Sequence, residues 1–269
     1  MLNVAFATFK KNRSVIRRAF PWSHTFGRFI GGFFTMIFPY FMYTYYFKGN
    51  LDANFMEYTN QSDYISYIAL GASIHVLGKS TLMNVGRSFI TELREGTLIS
   101  FFLSPASRFG YYLGCFLEQL GRACLEFSVI ICLGFLLGAK VLKVFTIESI
   151  LVLTVTIFSF FAMSMMLSCI MLYTRDTYIS QNTLFMIMGL TCGIVFPVEY
   201  LPKSIQFISH FFPTTAAIKL FRCVLTLDQS IINNLHLVAE ILVLSSIYIF
   251  FGMIWFSKLE KKITEEIFA

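Results

Sequence analysis

Glu118, Arg122 and Glu126 stand four residues apart inside a long apolar stretch. On a helix that spacing puts all three on one stripe, where Arg122 can pair with either acid. A charge near the centre of a bilayer costs about 2.5–3.5 kcal/mol, so such a stripe must face protein, a water-filled cavity or the cytoplasmic surface. Structural pairing, a substrate pathway and a dimer interface each satisfy that condition. His75 and Lys79 place two more ionisable side chains in another apolar stretch. Gly78-Lys79-Ser80 imitates the end of a phosphate-binding P-loop, but that motif needs a glycine five residues before Gly78, and position 73 is serine. These charges could instead serve a stand-alone channel or ion-coupled transporter, although the two halves of the chain show no inverted repeat. Six cysteines, at 115, 124, 132, 169, 192 and 223, have neither CxxC nor Cys/His metal spacing. They read as small buried residues, with no disulfide framework and no metal site expected. The sequence also offers no nucleophile–base constellation, so the chain is expected to carry neither ATP hydrolysis nor covalent catalysis by itself.

A second group of polar residues interrupts the apolar sequence at 91–110, TELREGTLISFFLSPASRFG. Thr91 or Glu92 can cap a short helix over about 91–105, Leu93 and Leu98 give it an apolar side, and Ser104-Pro105 ends it. Glu92, Arg94 and Glu95 would then stand in water on one side of a membrane. That face is either an ordinary solvated loop helix or the place where an external energy source pushes on a membrane domain.

The elements that must position these residues are set by composition. Hydrophobic residues make up 57% of the 269 and charged residues only 13%, against about 25% charged in soluble domains. The sequence therefore predicts an all-α integral membrane protein. Residues 1–28 hold six Lys and Arg and no acid, with apolar residues at helical spacing, and predict an amphipathic interfacial helix on the cytoplasmic face, anchored to anionic lipid or docking a partner. Six transmembrane helices follow, over about 29–47, 64–85, 109–139, 150–172, 178–196 and 235–257, with Pro39 expected to kink the first. Residues 197–225, with three prolines and no complete span, suit short external helices that re-enter the outer leaflet. Residues 258–269 predict a cytoplasmic tail. With both termini in the cytoplasm, thirteen of the 21 Lys and Arg fall inside and six outside, as the positive-inside rule requires. The net charge of +6 is thus a topology signal rather than a nucleic-acid surface. GxxxG pairs at Gly27/Gly31, Gly110/Gly114, Gly134/Gly138 and Gly189/Gly193 provide close-packing faces.

The order of these elements, LREGTLISFFLSPASRFGYYLG at 93–114 and GIVFPVEYLPKSIQFISHFFPTTAAIKLFR at 193–222 resemble the membrane subunit of type-2 ABC exporters over nearly the whole chain. Its most specific pieces are Glu95-Gly96-Thr97-Leu98 with Ser104-Pro105 and Arg108, and the Phe-Pro, Leu-Pro, Pro series of 196–213 ending in Arg222. The resemblance implies that the segment at 91–105 is a coupling helix through which Glu92, Leu93, Arg94, Glu95, Gly96 and Thr97 meet a separate ATPase. It implies that Phe196, Pro197, Leu201, Pro202 and Pro213 shape an external gate. It further implies two nucleotide-binding subunits holding ATP and Mg, no cofactor on this chain, and a second copy or a homologous permease. The expected activity is export of an amphiphile such as a drug, antimicrobial peptide or lipid-like molecule. A lipid-linked glycan is the alternative cargo, set second because PWSHTFGRFIGG at 21–32 lacks the Arg-Tyr start of many polysaccharide exporters.

Overall fold

The computed structural model describes residues 1–19, 23–49, 53–59, 63–176, 178–227 and 229–268, and among these it is helical throughout its regular structure. In chain order the helices are α1 (Leu2–Ala19), α2 (Ser23–Phe41), α3 (Ala53–Tyr58), α4 (Tyr64–Arg94), α5 (Thr97–Leu103), α6 (Arg108–Leu136), α7 (Ile147–Thr174), α8 (Tyr178–Thr191), α9 (Lys203–Ser209), α10 (Pro213–Thr226) and α11 (Leu235–Phe268). Local chemistry sets several starts. Asp63 accepts the amide of Ser66 at 2.9 Å and opens α4; Ser107 and Thr146 play the same part for α6 and α7. Pro39 lies inside α2, which passes into a π-turn over Met42–Tyr46 just beyond it.

At the centre stands α4, packed against α2, α6, α7, α8 and α10. From Ser66 to Gly78 every one of its residues is buried. Being enclosed by protein on all sides, it does not need the apolar surface that lipid demands, and so it tolerates Ser66, Ser73 and His75. The outer helices carry the opposite signature. Three helical stretches, Arg108–Leu136, Ile147–Thr174 and Ile231–Glu265, are long and apolar enough to cross a membrane by length and composition. On α11, Leu242, Val243, Ile247, Phe250, Phe251, Met253 and Ile254 are all exposed, a band of apolar surface that water would not tolerate.

Two expected boundaries change. The stretch expected to span as 178–196 ends its helix at Thr191, because the backbone turns into the left-handed region at Gly193 (φ 72°). The polar segment 91–105 is not one helix: α4 continues unbroken to Arg94, and a separate seven-residue α5 follows. Neither Thr91 nor Glu92 caps it. The cysteines also divide, Cys115, Cys169 and Cys192 being buried while Cys124 and Cys132 are exposed on α6; all six are free thiols.

Candidate coupling hairpin and its supports

The α4–α5 connection turns at Gly96, whose φ of 72° lies where a side chain would be strained. The tip exposes Arg94, Glu95, Gly96 and Thr97, while Leu93 is half-buried. Behind the tip Leu98 and Phe102 are buried, and the Phe101 ring lies 4.7 Å from that of Tyr111 on α6. Phe89 of α4 joins Tyr112 of α6 at 4.4 Å and Phe256 of α11 at 5.6 Å, so an aromatic cluster ties three long helices together beneath the hairpin.

Glu92 is not part of the solvent face expected for it. It is 8% exposed and turned inwards, because it continues the buried α4 stripe of Val85 and Phe89 at spacings of four and three. Its carboxylate accepts hydrogen bonds from Lys11 of α1, from the Thr97 hydroxyl and, at 3.1 Å, from Tyr111. Burial alone would raise its pKa, but the Lys11 and Thr97 hydrogen bonds, the Lys11 charge and the Tyr111 hydroxyl outweigh that and hold the carboxyl below its ordinary value. One buried carboxylate thus joins α1, α4, α5 and α6.

Arg108 supports the other end of α5. Its guanidinium donates to the carbonyl of Phe102, and to those of Ser104 at 2.8 Å and Ala106 at 2.6 Å, satisfying groups that the helix end leaves open. It also forms an ion pair at 2.7 Å with Glu260 of α11. The amphipathic α1 lies along the first turns of α6, where a Cβ on Gly110 would sit 2.7 Å from the Met1 carbonyl and one on Gly114 would sit 2.5 Å from that of Ala5. This GxxxG face is used within the chain.

Glu118, Arg122 and Glu126 follow one another at four-residue spacing along α6, and Glu126 reaches α4 through Ser80. Glu118 and Glu126 are buried; Arg122 is bonded to Glu118, Gln119 donates to Glu118 at 2.8 Å, and Ser80 of α4 donates to Glu126 at 2.7 Å. Lys79 is different, since it is exposed on α4 and meets the ring of Phe185, 4.1 Å from its centre. A cation–π contact offers about 0.5–2 kcal/mol.

At the far end of α4, prolines divide the segment expected to form the gate. Pro197 and Pro202 precede the short helices at Val198–Tyr200 and Lys203–Ser209, and Pro213 opens α10. Pro197 and Pro213 are buried, Phe196 and Leu201 half-buried and Pro202 exposed. The organising residue here is Arg222, expected as an external charge that closes the proline series but 9% exposed in the fold. It donates to the Gly193 carbonyl at 2.7 Å, the Ile194 carbonyl at 2.9 Å and the Tyr67 carbonyl at 2.8 Å. Its position between Ile218 and Leu225 on an apolar helix face was the available signal. Beside it opens a cavity of about 430 Å³, rimmed by the pairs Lys219–Glu199 and His210–Glu240, each at 3.2 Å.

Among the described residues no three His, Cys, Asp or Glu side chains gather into a metal-sized group. A comparison with curated proteins finds no significant match. The family described as ABC-2 type transporter matches residues 11–226, which takes in α2, the central α4, the hairpin, the α6 stripe and the proline-divided segment before α10. The chain therefore belongs to the ABC-2 type transporter family: it is a membrane permease component of an ABC transporter, distinct from the ATPase with which such permeases work.

Proposed function

We propose that this chain is a six-span permease with both termini in the cytoplasm, exporting an amphiphilic substrate through the cell membrane. It works with a second copy of itself or a homologous permease and with two ATPase subunits, which bind ATP and Mg. Arg94, Glu95, Gly96 and Thr97 form the surface the ATPase meets. Glu92 acts behind that surface, transmitting its displacement to α1 and α6. Pro197, Pro202 and Pro213 shape the external gate together with Phe196 and Leu201, and Arg222 holds that gate to α4.

The observation that carries this reading is the exposed Gly96 hairpin on the end of the central helix, braced from behind by the Glu92 bonds. A displacement of the tip reaches α4 directly and α1 through Lys11. The test is co-purification of the tagged chain in mild detergent with an ATPase assay. The unaltered chain should recover a P-loop ATPase, and Arg94→Glu with Glu95→Lys should lose it while the chain stays folded. Full recovery by the reversed variant would refute the assignment.

A further inference from the structure

Lys79 and His75 lie one turn apart on α4 and share a single ring. Lys79 Nζ stands 4.1 Å from the centre of Phe185, and the His75 imidazole is stacked on Phe185 with centroids 4.5 Å apart and planes at 15°. His75 is 7% exposed, and among the described residues its Nε2 is buried with no hydrogen-bond partner. Gly189, one turn beyond Phe185 on α8, faces the imidazole, where a Cβ would make ordinary contact at 3.8 Å to Cε1 and 4.0 Å to Nε2.

The neighbouring charges do not explain this arrangement. Arg122 is bonded to Glu118, and Glu126 receives Ser80, whereas among the described residues Lys79 has an aromatic ring and no carboxylate within ion-pair distance. With α4 as a span, as in the reading above, the ring offsets only part of the cost of an ammonium at membrane depth. An unmatched cation and an unmatched imidazole nitrogen beside an apolar helix face suit a ligand that brings a negative charge and an apolar body. A cationic amphiphile would be repelled by Lys79.

We propose that Lys79, His75 and Phe185 form a recognition site for the anionic headgroup of an amphiphilic cargo, its phosphate, sulfate or carboxylate taken by Lys79 and its apolar part laid along α8. The inference rests on the transport reading above and deepens it by naming the charge of the cargo. In its Nε2–H tautomer His75 supplies a second polar contact, and both side chains rest against the Phe185 ring.

The test uses the full chain in maltoside detergent, with any co-purifying ATPase retained. Two fluorescent probes share a twelve-carbon chain and a dye, one ending in a phosphate monoester and the other in trimethylammonium. The phosphate probe should bind roughly tenfold more tightly, and Lys79→Gln should remove about that factor while Lys79→Arg keeps it. Phe185→Leu should weaken the phosphate probe by about threefold. Equal binding of the two probes by the unaltered chain, or an unchanged preference in Lys79→Gln, would overturn the proposal. So would complete displacement of the phosphate probe by an equal concentration of inorganic phosphate, which would mark a free-anion site. Recovery of the ATPase separates the two levels: with the ATPase present and the probes bound equally, only the headgroup inference fails, and with no ATPase recovered the transport reading fails whatever the probes do.

Discussion

The guanidinium carbon of Arg222 lies 3.3 Å from the centre of the Tyr67 ring, while the same side chain donates to the Tyr67 carbonyl and to the carbonyls of Gly193 and Ile194. The broken end of α8 is thereby tied to the central helix by one planar fork. Lysine cannot reproduce it, because a single ammonium cannot reach three carbonyls and stack on a ring at once. Arg222→Lys is expected to cost about 2–4 kcal/mol through carbonyls left buried and unpaired. It should lower the unfolding temperature in detergent and speed amide exchange at 193–195. Gly71→Ala tests the same contact from the other side, since its Cβ would fall 2.3 Å from Arg222 Nη2 and 2.7 Å from the Ile194 carbonyl. A lysine variant as stable as the parent would show that charge alone, without the fork, holds the segment.

Gly114 sets how closely α1 approaches α6. A Cβ there would meet the Ala5 carbonyl at 2.5 Å and Thr8 Cβ at 2.7 Å, and the first of these is backbone that cannot rotate away. Gly114→Leu is therefore expected to lift α1 and break the Lys11–Glu92 contact without unfolding the helices behind it. Limited trypsin digestion is the measurement: cleavage at Lys10 and Lys11 should quicken several-fold, with the remainder of the chain intact. Unchanged cleavage would place the anchoring of α1 elsewhere than at this crossing.

Composition made the helical membrane class legible, because the demands of lipid act on averages over many residues. The hairpin was legible as a polar interruption at the right place, but Gly96 lay inside the single helix expected over 91–105 and was not read as its turn. What escaped was direction. Glu92, Arg94 and Glu95 look alike in sequence, yet only Glu92 falls on the buried stripe continued from Val85 and Phe89, and reading that phase requires knowing that α4 runs unbroken to Arg94. Arg222 escaped for a related reason: its partners are backbone carbonyls distant in sequence, and carbonyls carry no residue signature. Gly110 and Gly114 were visible as a packing face, but nothing in their spacing said that the partner was the chain's own first helix.

Acid should loosen the hairpin through Glu92. Its carboxyl is held below the ordinary value in the folded protein, so the folded state binds the proton more weakly than the unfolded chain does. The associated stability is present above the ordinary glutamate pKa of about 4.3 and is lost as pH falls through the lower folded value. Unfolding temperature measured in detergent from pH 7 down to about 3.5 should show an acid limb that Glu92→Gln flattens. The variant should be the less stable protein at neutral pH, with the difference shrinking towards acid. A gap between the two proteins that does not change with pH would assign the acid limb to other carboxylates.

The Arg108–Glu260 pair makes a separable claim about how the tail of α11 is held. Arg108 serves two ends at once, the carbonyls that close α5 and the carboxylate of Glu260 at 2.7 Å. Both side chains are about a quarter exposed, at 26% and 25%, so the ion pair itself is partly screened and should be worth no more than about 1 kcal/mol. The carbonyl bonds lie on the Arg108 side alone. Arg108→Ala is therefore expected to destabilise more than Glu260→Gln does, and a double-mutant cycle should return a coupling of about 0.5–1 kcal/mol that falls with added salt. If Glu260→Gln proved as damaging as Arg108→Ala, the tether to α11, rather than the closing of α5, would be the reason for an arginine at this position.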